Sequence, residues 1–223
     1  MYKSRHQFSA IKKEGLYDAI YKRRDVREFQ PDPVPKDVLA RVLNAAHHAG
    51  SVGFMQPWNF IIIQDEKIKE GVYQNFLSAN QHAAQRFSGD KGDLYNSLKL
   101  EGILESPINI CVTCDSSRLG PHVLGKDTIP ETDVFSTCCA IQNLWLAARV
   151  EGLGVGWVSI LNVNQLKEEL KIPKHVIPVA YLCMGYPEEF LDRPMLEKMG
   201  WAKRIPVDEL IFTDFWGNQS KRD

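Results

Sequence analysis

Several classes of protein are excluded by what this sequence does not contain. No apolar run is long enough to span a bilayer, and WNFIII at 58–63 is far too short. The formal net charge is −1, which gives no overall attraction to nucleic acid or to a membrane surface. The basic N-terminal segment, residues 1–15, has no apolar stretch of the signal-peptide kind. We therefore expect a cytoplasmic protein that binds neither membrane nor nucleic acid.

Disulfides and metal ligands are also lacking. The five cysteines are an odd number without a secretion signal, which argues against a disulfide framework. Cys111 and Cys114 have the spacing of a metal or redox pair, but they lie in the apolar run INICVTC, which is typical of a buried strand. Histidines 6, 47, 48, 82, 122 and 175 show no ligand spacing beyond one adjacent pair. We predict no metal site.

The periodicity of apolar residues indicates alternating helices and strands. Hydrophobic residues make up 44% of the 223 residues, enough for a sizeable core. Helices are predicted at 8–22, 35–49, 133–150 and 163–173, and over most of 66–105 with a break at 88–93. Strands are predicted at 58–64, 107–115, 152–160 and 177–187. This order indicates an α/β or α+β fold in three layers.

The first stretch whose residues suggest binding or catalysis is YKRRDVREF, which groups Arg23, Arg24 and Arg27 at the end of a helix. Guanidinium groups suit phosphate or carboxylate, although most short charged runs are solvated surface. Asp25 lies among them. It either neutralises these arginines or is a carboxylate that they hold ionised, ready to act as a base.

The second stretch is SVGFMQPWNF, residues 51–60, which is too apolar for an ordinary loop. Ser51 and Gln56 offer hydrogen bonds, whereas Phe54, Met55 and Trp58 are expected to form an exposed apolar wall. A flat heteroaromatic ring requires that mixture, and so does a subunit interface.

Two further stretches leave their function open. The glycines of GLGVGW, at 152, 154 and 156, precede a strand, so they do not form the dinucleotide-binding fingerprint. Their spacing lets the backbone approach another surface, either a ring or a packed helix. Lys203 and Arg204 form either a late phosphate clamp or a surface pair.

Taken in order, these stretches resemble the nitroreductase family of flavin enzymes. The set comprises R-R-x-x-R, S-x-x-x-x-Q-P-W, QNLWLAA, GLGVGW and a late Lys/Arg before PVDEL, and it covers about Tyr17 to Leu210. Asp25 stands where the family usually has Ser, Phe54 where it has Asn, and Ser159 where a small residue without a hydroxyl is common. These departures resemble the branch of the family that cleaves flavin.

The resemblance implies an α+β, nitroreductase-like fold of three layers. A mixed or antiparallel central sheet would be flanked by helices, in an intertwined homodimer with FMN between the subunits. It also implies a single FMN domain over residues 1–223, with a core of about 17–210 and a C-terminal tail at 211–223.

The implied activity is that of an O2-dependent oxidoreductase whose substrate is reduced FMN. The flavin would be cleaved to 5,6-dimethylbenzimidazole, the lower ligand of vitamin B12, with erythrose 4-phosphate as by-product. Electrons would come from NAD(P)H directly or from a partner flavin reductase. The alternative is an NAD(P)H-dependent nitroreductase or flavin reductase that acts on an external acceptor, and a further one is a non-catalytic flavin-binding dimer.

The resemblance also assigns expected roles to residues. Asp25 would be the base near C1′ of the ribityl chain, and Ser159 would orient the reacting flavin or move a proton. The expected flavin contacts are Arg23, Arg24, Asp25, Val26, Arg27, Ser51, Gln56, Leu100, Ser159 and Arg204, with the arginines as the phosphate anchor. Phe54, Met55 and the 66–105 helices would exclude water, because water promotes side reactions of a reactive flavin.

Overall fold

A four-stranded sheet is the scaffold on which the candidate residues are placed. The computed structural model describes residues 6–219. The strands are β1 (Trp58–Ile63), β2 (Ile108–Asp115), β3 (Gly154–Val158) and β4 (Val176–Gly185). Their order is β1-β2-β4-β3, and every neighbouring pair is antiparallel. All four predicted strands are confirmed, and the sheet is antiparallel rather than mixed.

The helices also follow the predicted pattern. They are α1 (Ala10–Lys22), α2 (Lys36–His47), α3 (Glu66–Ala84), α4 (Gly89–Ser97), α5 (Thr132–Val150) and α6 (Val163–Glu169). The predicted break at 88–93 is wrong in position, because α3 already ends at Ala84 and α4 begins at Gly89. Gly89 has a φ of 57°, so the chain reverses at that glycine and the residues after it are helical.

Two apolar clusters cover the two faces of the sheet. Along β2, the side chains of Ile108, Ile110 and Val112 pack with α2 and α5. The alternate residue Cys111 packs on the opposite face with α3 and α6. The alternation is that of a strand buried on both sides, and it confirms the three-layer α+β architecture.

Helix α5 and the strand cysteines belong to this core, and the burial of Cys111 and Cys114 is as the apolar run INICVTC predicts. The buried face of α5 packs against the sheet, while Phe135 and Val150 remain exposed on its other side. Cys111 and Cys183 are fully buried free thiols, and burial raises the pKa of each to about 12. They are therefore neutral and behave as small apolar residues.

The chain divides into two compact units, Met1–Asp192 and Arg193–Asp223. The second contains α7 (Met195–Lys198) and a 3₁₀ turn at Val207–Leu210. The single domain of 1–223, with its core of about 17–210, stays a prediction. Residues 1–5 of the basic N-terminal segment and 220–223 of the predicted tail lie outside the described residues. Within residues 6–219, no helix has the length and apolarity to cross a bilayer.

Candidate active site

The segment after α1 lies along the outer edge of β3. We call residues 25–29 the edge strip. The Val26 N–H donates to the carbonyl of Val155 at 3.0 Å, and Asp25 forms a parallel bridge with the same residue. Phe29 pairs in turn with Pro187, beyond the end of β4. The edge strip therefore occupies backbone groups that an edge strand would otherwise expose.

The glycines of β3 make this close approach possible. A Cβ added to Gly156 would lie 2.0 Å from the carbonyl oxygen of Val26. One added to Gly154 would lie 2.8 Å from Val26 Cγ2. The surface that approaches these glycines is thus the edge strip, and not a ring or a packed helix. The spacing of the glycines in the sequence does not distinguish these three partners.

Asp25 and Arg27 bind the two backbone groups of Trp157. The Trp157 N–H donates to Asp25 Oδ1 at 2.8 Å, and Arg27 Nη2 donates to the Trp157 carbonyl at 2.8 Å. Arg27 Nη2 also donates to Asp25 Oδ2 at 2.5 Å. The Asp25 side chain stays 43% accessible, compared with 11% for Arg27. The carboxylate is therefore held in place from behind while one side remains open.

The pKa of Asp25 is raised above its ordinary value. Desolvation raises it, and this effect outweighs the lowering by Arg27, by the Trp157 N–H and by Arg23. The arginines lower the pKa of this carboxyl, but the crowded setting outweighs them, and the role of Asp25 as a base stays a prediction. A carboxyl pKa that moves toward neutrality suits proton transfer near physiological pH.

The three arginines have different surroundings. Arg24 donates to the carbonyls of Tyr21 at 2.8 Å, Arg23 at 2.7 Å and Asp192 at 2.5 Å, so it serves the end of α1. The Arg23 guanidinium lies 4.9 Å from the centre of the Trp145 ring. Arg24 is therefore the weakest of the candidate phosphate anchors, and its assignment stays a prediction.

Two of these arginines have incomplete hydrogen bonding. Arg24 Nε, Arg27 Nε and Arg27 Nη1 are buried and have no hydrogen-bond partner among the residues that the structure describes. Buried donors are nearly always paired in native proteins, so these N–H groups are unusual. The charges of Arg23 and Arg27 beside the Asp25 carboxyl fit an anionic ligand such as FMN.

Ser159 is the first residue after β3 and is exposed. The loop that carries it is fixed by Asn75 of α3, which is 1% exposed. Asn75 Nδ2 donates to the Asn162 carbonyl at 3.0 Å, and its Oδ1 accepts the Asn162 N–H at 2.7 Å. Asn75 belongs to none of the sequence motifs, and the signal that could identify it is an amide on the buried side of a helix.

Leu100 lies at the margin of the apolar cluster that contains Val26 and Val158. The edge strip and the end of β3 thus share one packed environment with it. The structure brings these residues together, and their contact with flavin stays a prediction.

The turn from Ser51 to Gln56 leads into β1. Ser51 Oγ accepts the Gln56 N–H at 2.8 Å, so the two predicted ligands hold each other. Gly53, Phe54 and Gln56 all have left-handed φ angles, of 58°, 54° and 50°. Left-handed backbone costs roughly 1–2 kcal/mol at each non-glycine residue, so other contacts must maintain the turn.

Only part of the predicted apolar wall is exposed. Phe54 is 78% exposed, but Met55 and Trp58 are 1% and 3% exposed, so the expectation for these two is wrong. Trp58 belongs to the core cluster of α2 and α5, and its Nε1 donates to His47 Nδ1 at 3.2 Å. Met55 is buried too deeply to cover a ligand. Of these three residues only Phe54 is exposed, and its role as an apolar cover, with the 66–105 helices, stays a prediction.

The two groups of candidate residues lie at opposite edges of the sheet. The turn precedes β1, whereas the edge strip lies outside β3, with β2 and β4 between them. Four strand spacings of about 4.8 Å separate these edges by roughly 19 Å. Within one chain, Ser51 and Gln56 therefore do not meet Asp25. Arg204 belongs to the second unit, where it is exposed, and its role stays a prediction.

The model of the nitroreductase family matches residues 20–186 of this chain. Among curated proteins, the chain is 42% identical to a 5,6-dimethylbenzimidazole synthase of Rhodospirillum rubrum, over 87% of this chain and 92% of the relative. A synthase of the same name from Rhodobacter capsulatus is 35% identical, over 90% of this chain and 97% of the relative.

Solved structures agree on the fold. A BluB-like flavoprotein from Clostridium difficile superposes with a TM-score of 0.67 at 23% identity, over 88% of this chain and 97% of the other. Iodotyrosine deiodinase bound to FMN and 3-iodo-L-tyrosine has the same TM-score and identity, over 80% and 92%. At this level of identity the likeness shows the fold alone.

Proposed function

Since the chain belongs to the nitroreductase family, we propose that it consumes reduced FMN and O2 and releases 5,6-dimethylbenzimidazole. The observation that carries the proposal is the identity of 42% to the Rhodospirillum rubrum synthase over nearly the full length of both chains. Asp25 and Ser159, which depart from the general family pattern, lie on the edge strip and just after β3, and their nearness to the same strand supports the proposal.

The residues of the β3 edge have separate tasks in this proposal. When bound, reduced FMN supplies the electrons for O2 and the carbon atoms of the product. Arg27, with Arg23 beside it, holds the flavin through charge. The open side of Asp25 takes a proton near C1′ of the ribityl chain, while Trp157 and Arg27 fix its orientation. The exposed Ser159 hydroxyl orients the reacting ring or moves a second proton.

The separation of the two edges supports a site shared between two copies of the chain. Ser51 and Gln56 of one protomer would complete the site whose Asp25 belongs to the other. Helix α1 and its approach leave Phe8, Ile11 and Tyr21 exposed, and α5 leaves Phe135 exposed. Apolar side chains concentrated on helices in this way are typical of an oligomer interface.

Air, the protein and chemically reduced FMN are sufficient to test the activity, whichever reductase or NAD(P)H reaction supplies electrons in the cell. Loss of flavin absorbance with the appearance of 5,6-dimethylbenzimidazole is the expected result. Flavin that only reoxidises would contradict the proposal and favour a conventional nitroreductase or flavin reductase. Ser159→Gly is expected to form less product and more hydrogen peroxide, and an unchanged ratio would remove Ser159 from the mechanism.

A further inference from the structure

Arg118, in the loop after β2, holds the turn that leads into β1. Its Nη1 donates to the carbonyl of Gln56 at 2.7 Å and to that of Trp58 at 3.1 Å. Its Nη2 donates to Asn59 Oδ1, and Asn59 Nδ2 donates in turn to Thr113 Oγ1 at 3.3 Å. One guanidinium thus connects the end of the turn to the first residues of the strand.

The position of Arg118 is itself fixed by the local structure. Asp115 ends β2, and its Oδ1 accepts the N–H of Ser117 at 3.0 Å and the Ser117 hydroxyl at 2.6 Å. The N–H of Arg118 donates to the Asp115 carbonyl at 3.3 Å. These bonds form a tight turn of the kind in which an Asp side chain caps the following backbone. The guanidinium is therefore presented from a rigid base.

The turn needs such support because its backbone is unfavourable. Phe54 and Gln56 are left-handed without being glycine. Gly53 also packs so closely on the next loop that an added Cβ would lie 2.6 Å from the carbonyl of Leu124. Strained backbone persists only where the surroundings hold it, and it concentrates at ligand-binding sites.

We propose that Arg118 is a positioning residue that sets the affinity for FMN by fixing the backbone of Gln56, whose side-chain amide donates to the Phe54 carbonyl at 3.1 Å within the same turn. The inference rests on the proposed function, in which Gln56 contacts the flavin. A planar fork binds two carbonyls and an amide oxygen at once, which a lysine ammonium on a flexible stem does not reproduce. Arg118 does not touch the reacting atoms in this proposal, so it should alter binding more than the rate at saturation.

The test compares FMN affinity in Arg118→Ala, Arg118→Lys and a control, Arg41→Ala. Arg41 also donates three hydrogen bonds, to Asp37 and Glu151, but it lies on α2 and holds no part of the turn. Quenching of flavin fluorescence gives the dissociation constant without any turnover. We expect Arg118→Ala to raise the dissociation constant about tenfold or more, with Arg118→Lys intermediate and Arg41→Ala unchanged. At saturating reduced FMN, the rate of product formation should change much less.

A double-mutant cycle with Gln56→Ala decides whether Arg118 acts through Gln56. If it does, the combined variant should bind FMN about as weakly as the weaker single variant, so the two effects do not add. Hydrogen exchange of residues 52–58 in the FMN-free protein should also be faster in Arg118→Ala, with β4 unchanged as the internal reference.

Three results would overturn the inference: unchanged affinity in Arg118→Ala, full affinity in Arg118→Lys, or additive effects in the cycle. Full affinity in Arg118→Lys would mean that charge matters and the fork does not. Failure of the proposed function is distinguishable, because wild-type protein would then bind FMN without forming the benzimidazole. Affinity would still decide the role of Arg118 in that case.

Discussion

The two edges of the sheet hold candidate residues by different means. Beyond β3, the Val26 N–H donates to the Val155 carbonyl as in an added strand, and the side chains of Asp25 and Arg27 bind the backbone groups of Trp157. Before β1, the backbone of the turn is irregular and left-handed, and Arg118 connects it to the strand. Regular hydrogen bonding builds a platform for proton transfer, whereas an irregular turn offers amide and hydroxyl groups that depend on one guanidinium. We therefore expect damage at the β3 edge to affect the rate and damage at the β1 edge to affect affinity.

Asp25→Asn should have the largest effect of these substitutions, and the effect should be on the rate of product formation more than on FMN affinity. The amide keeps an acceptor for the Trp157 N–H but cannot take a proton, so product formation should fall by at least about 100-fold. FMN affinity should fall far less, because Arg27 and Arg23 remain. Absorbance of the product and flavin fluorescence measure the two quantities. Asp37→Asn, which removes an exposed ion pair on α2, is the matched control. A wild-type rate in Asp25→Asn would show that Asp25 is not the base.

Mixed dimers test whether the two edges meet across subunits. At an FMN concentration well below saturation, Asp25→Asn and the double variant Ser51→Ala, Gln56→Ala should each form little product alone. If a site takes its edges from different chains, each mixed dimer has one intact site and one with all substitutions. Random mixing by refolding makes about half of the dimers mixed, and two-fold symmetry gives each mixed dimer one intact site of two. About a quarter of the wild-type activity should therefore return. No recovery, with mixed dimers verified by mass spectrometry, would place both edges of each site in the same chain.

Gly156→Ala should displace the edge strip from β3. The new Cβ would lie 2.0 Å from the Val26 carbonyl, so the strip must move and Asp25 with it. We expect a loss of about 1–3 kcal/mol in the free energy of unfolding, together with weaker FMN binding. Gly15→Ala is the control, because nothing lies within 4 Å of its added Cβ. In helix α1 that change should stabilise the protein by roughly 0.5–1 kcal/mol. Urea unfolding measures both, and equal stabilities would contradict the packing argument.

The sequence predicts the elements of this fold well, because their signals are local. Short apolar runs identify the four strands, and the mostly apolar run INICVTC correctly indicates a strand buried on both faces. Arg23 to Arg27 and Ser159 are close in space because both border β3, and the ordered family motifs single them out. The opposite placement of Ser51 and Gln56 depends on strand order, which no local pattern contains.

The burial of individual side chains, and the residues that support a site through other residues, are less predictable from the sequence. The stretch has the composition of a loop and therefore predicts that Met55 and Trp58 are exposed, but both side chains are buried. The net pKa direction of Asp25 depends on crowding by residues distant in sequence. Asn75 and Arg118 support loops from remote positions, and neither belongs to a motif. Such supporting contacts follow from tertiary packing, which a single sequence does not reveal.

The smallest expected effect is the pH dependence of stability at the β3 edge. The pKa of Asp25 is raised in the folded protein above its ordinary value of 3.8. The folded state therefore holds this proton more tightly than the unfolded state does. The stabilising contribution is complete below pH 3.8 and is lost as the pH rises through the raised pKa. The difference in unfolding free energy, wild type minus Asp25→Asn, should thus decrease from acid toward neutral pH and then level off. Because the side chain is 43% accessible, solvent screening keeps the change small.

Urea unfolding of both proteins across that pH range measures the difference in unfolding free energy. A difference that grows with pH would mean that Arg27 and Arg23 outweigh desolvation, and Asp25 would then resemble an ordinary ion-pair carboxylate more than a poised base.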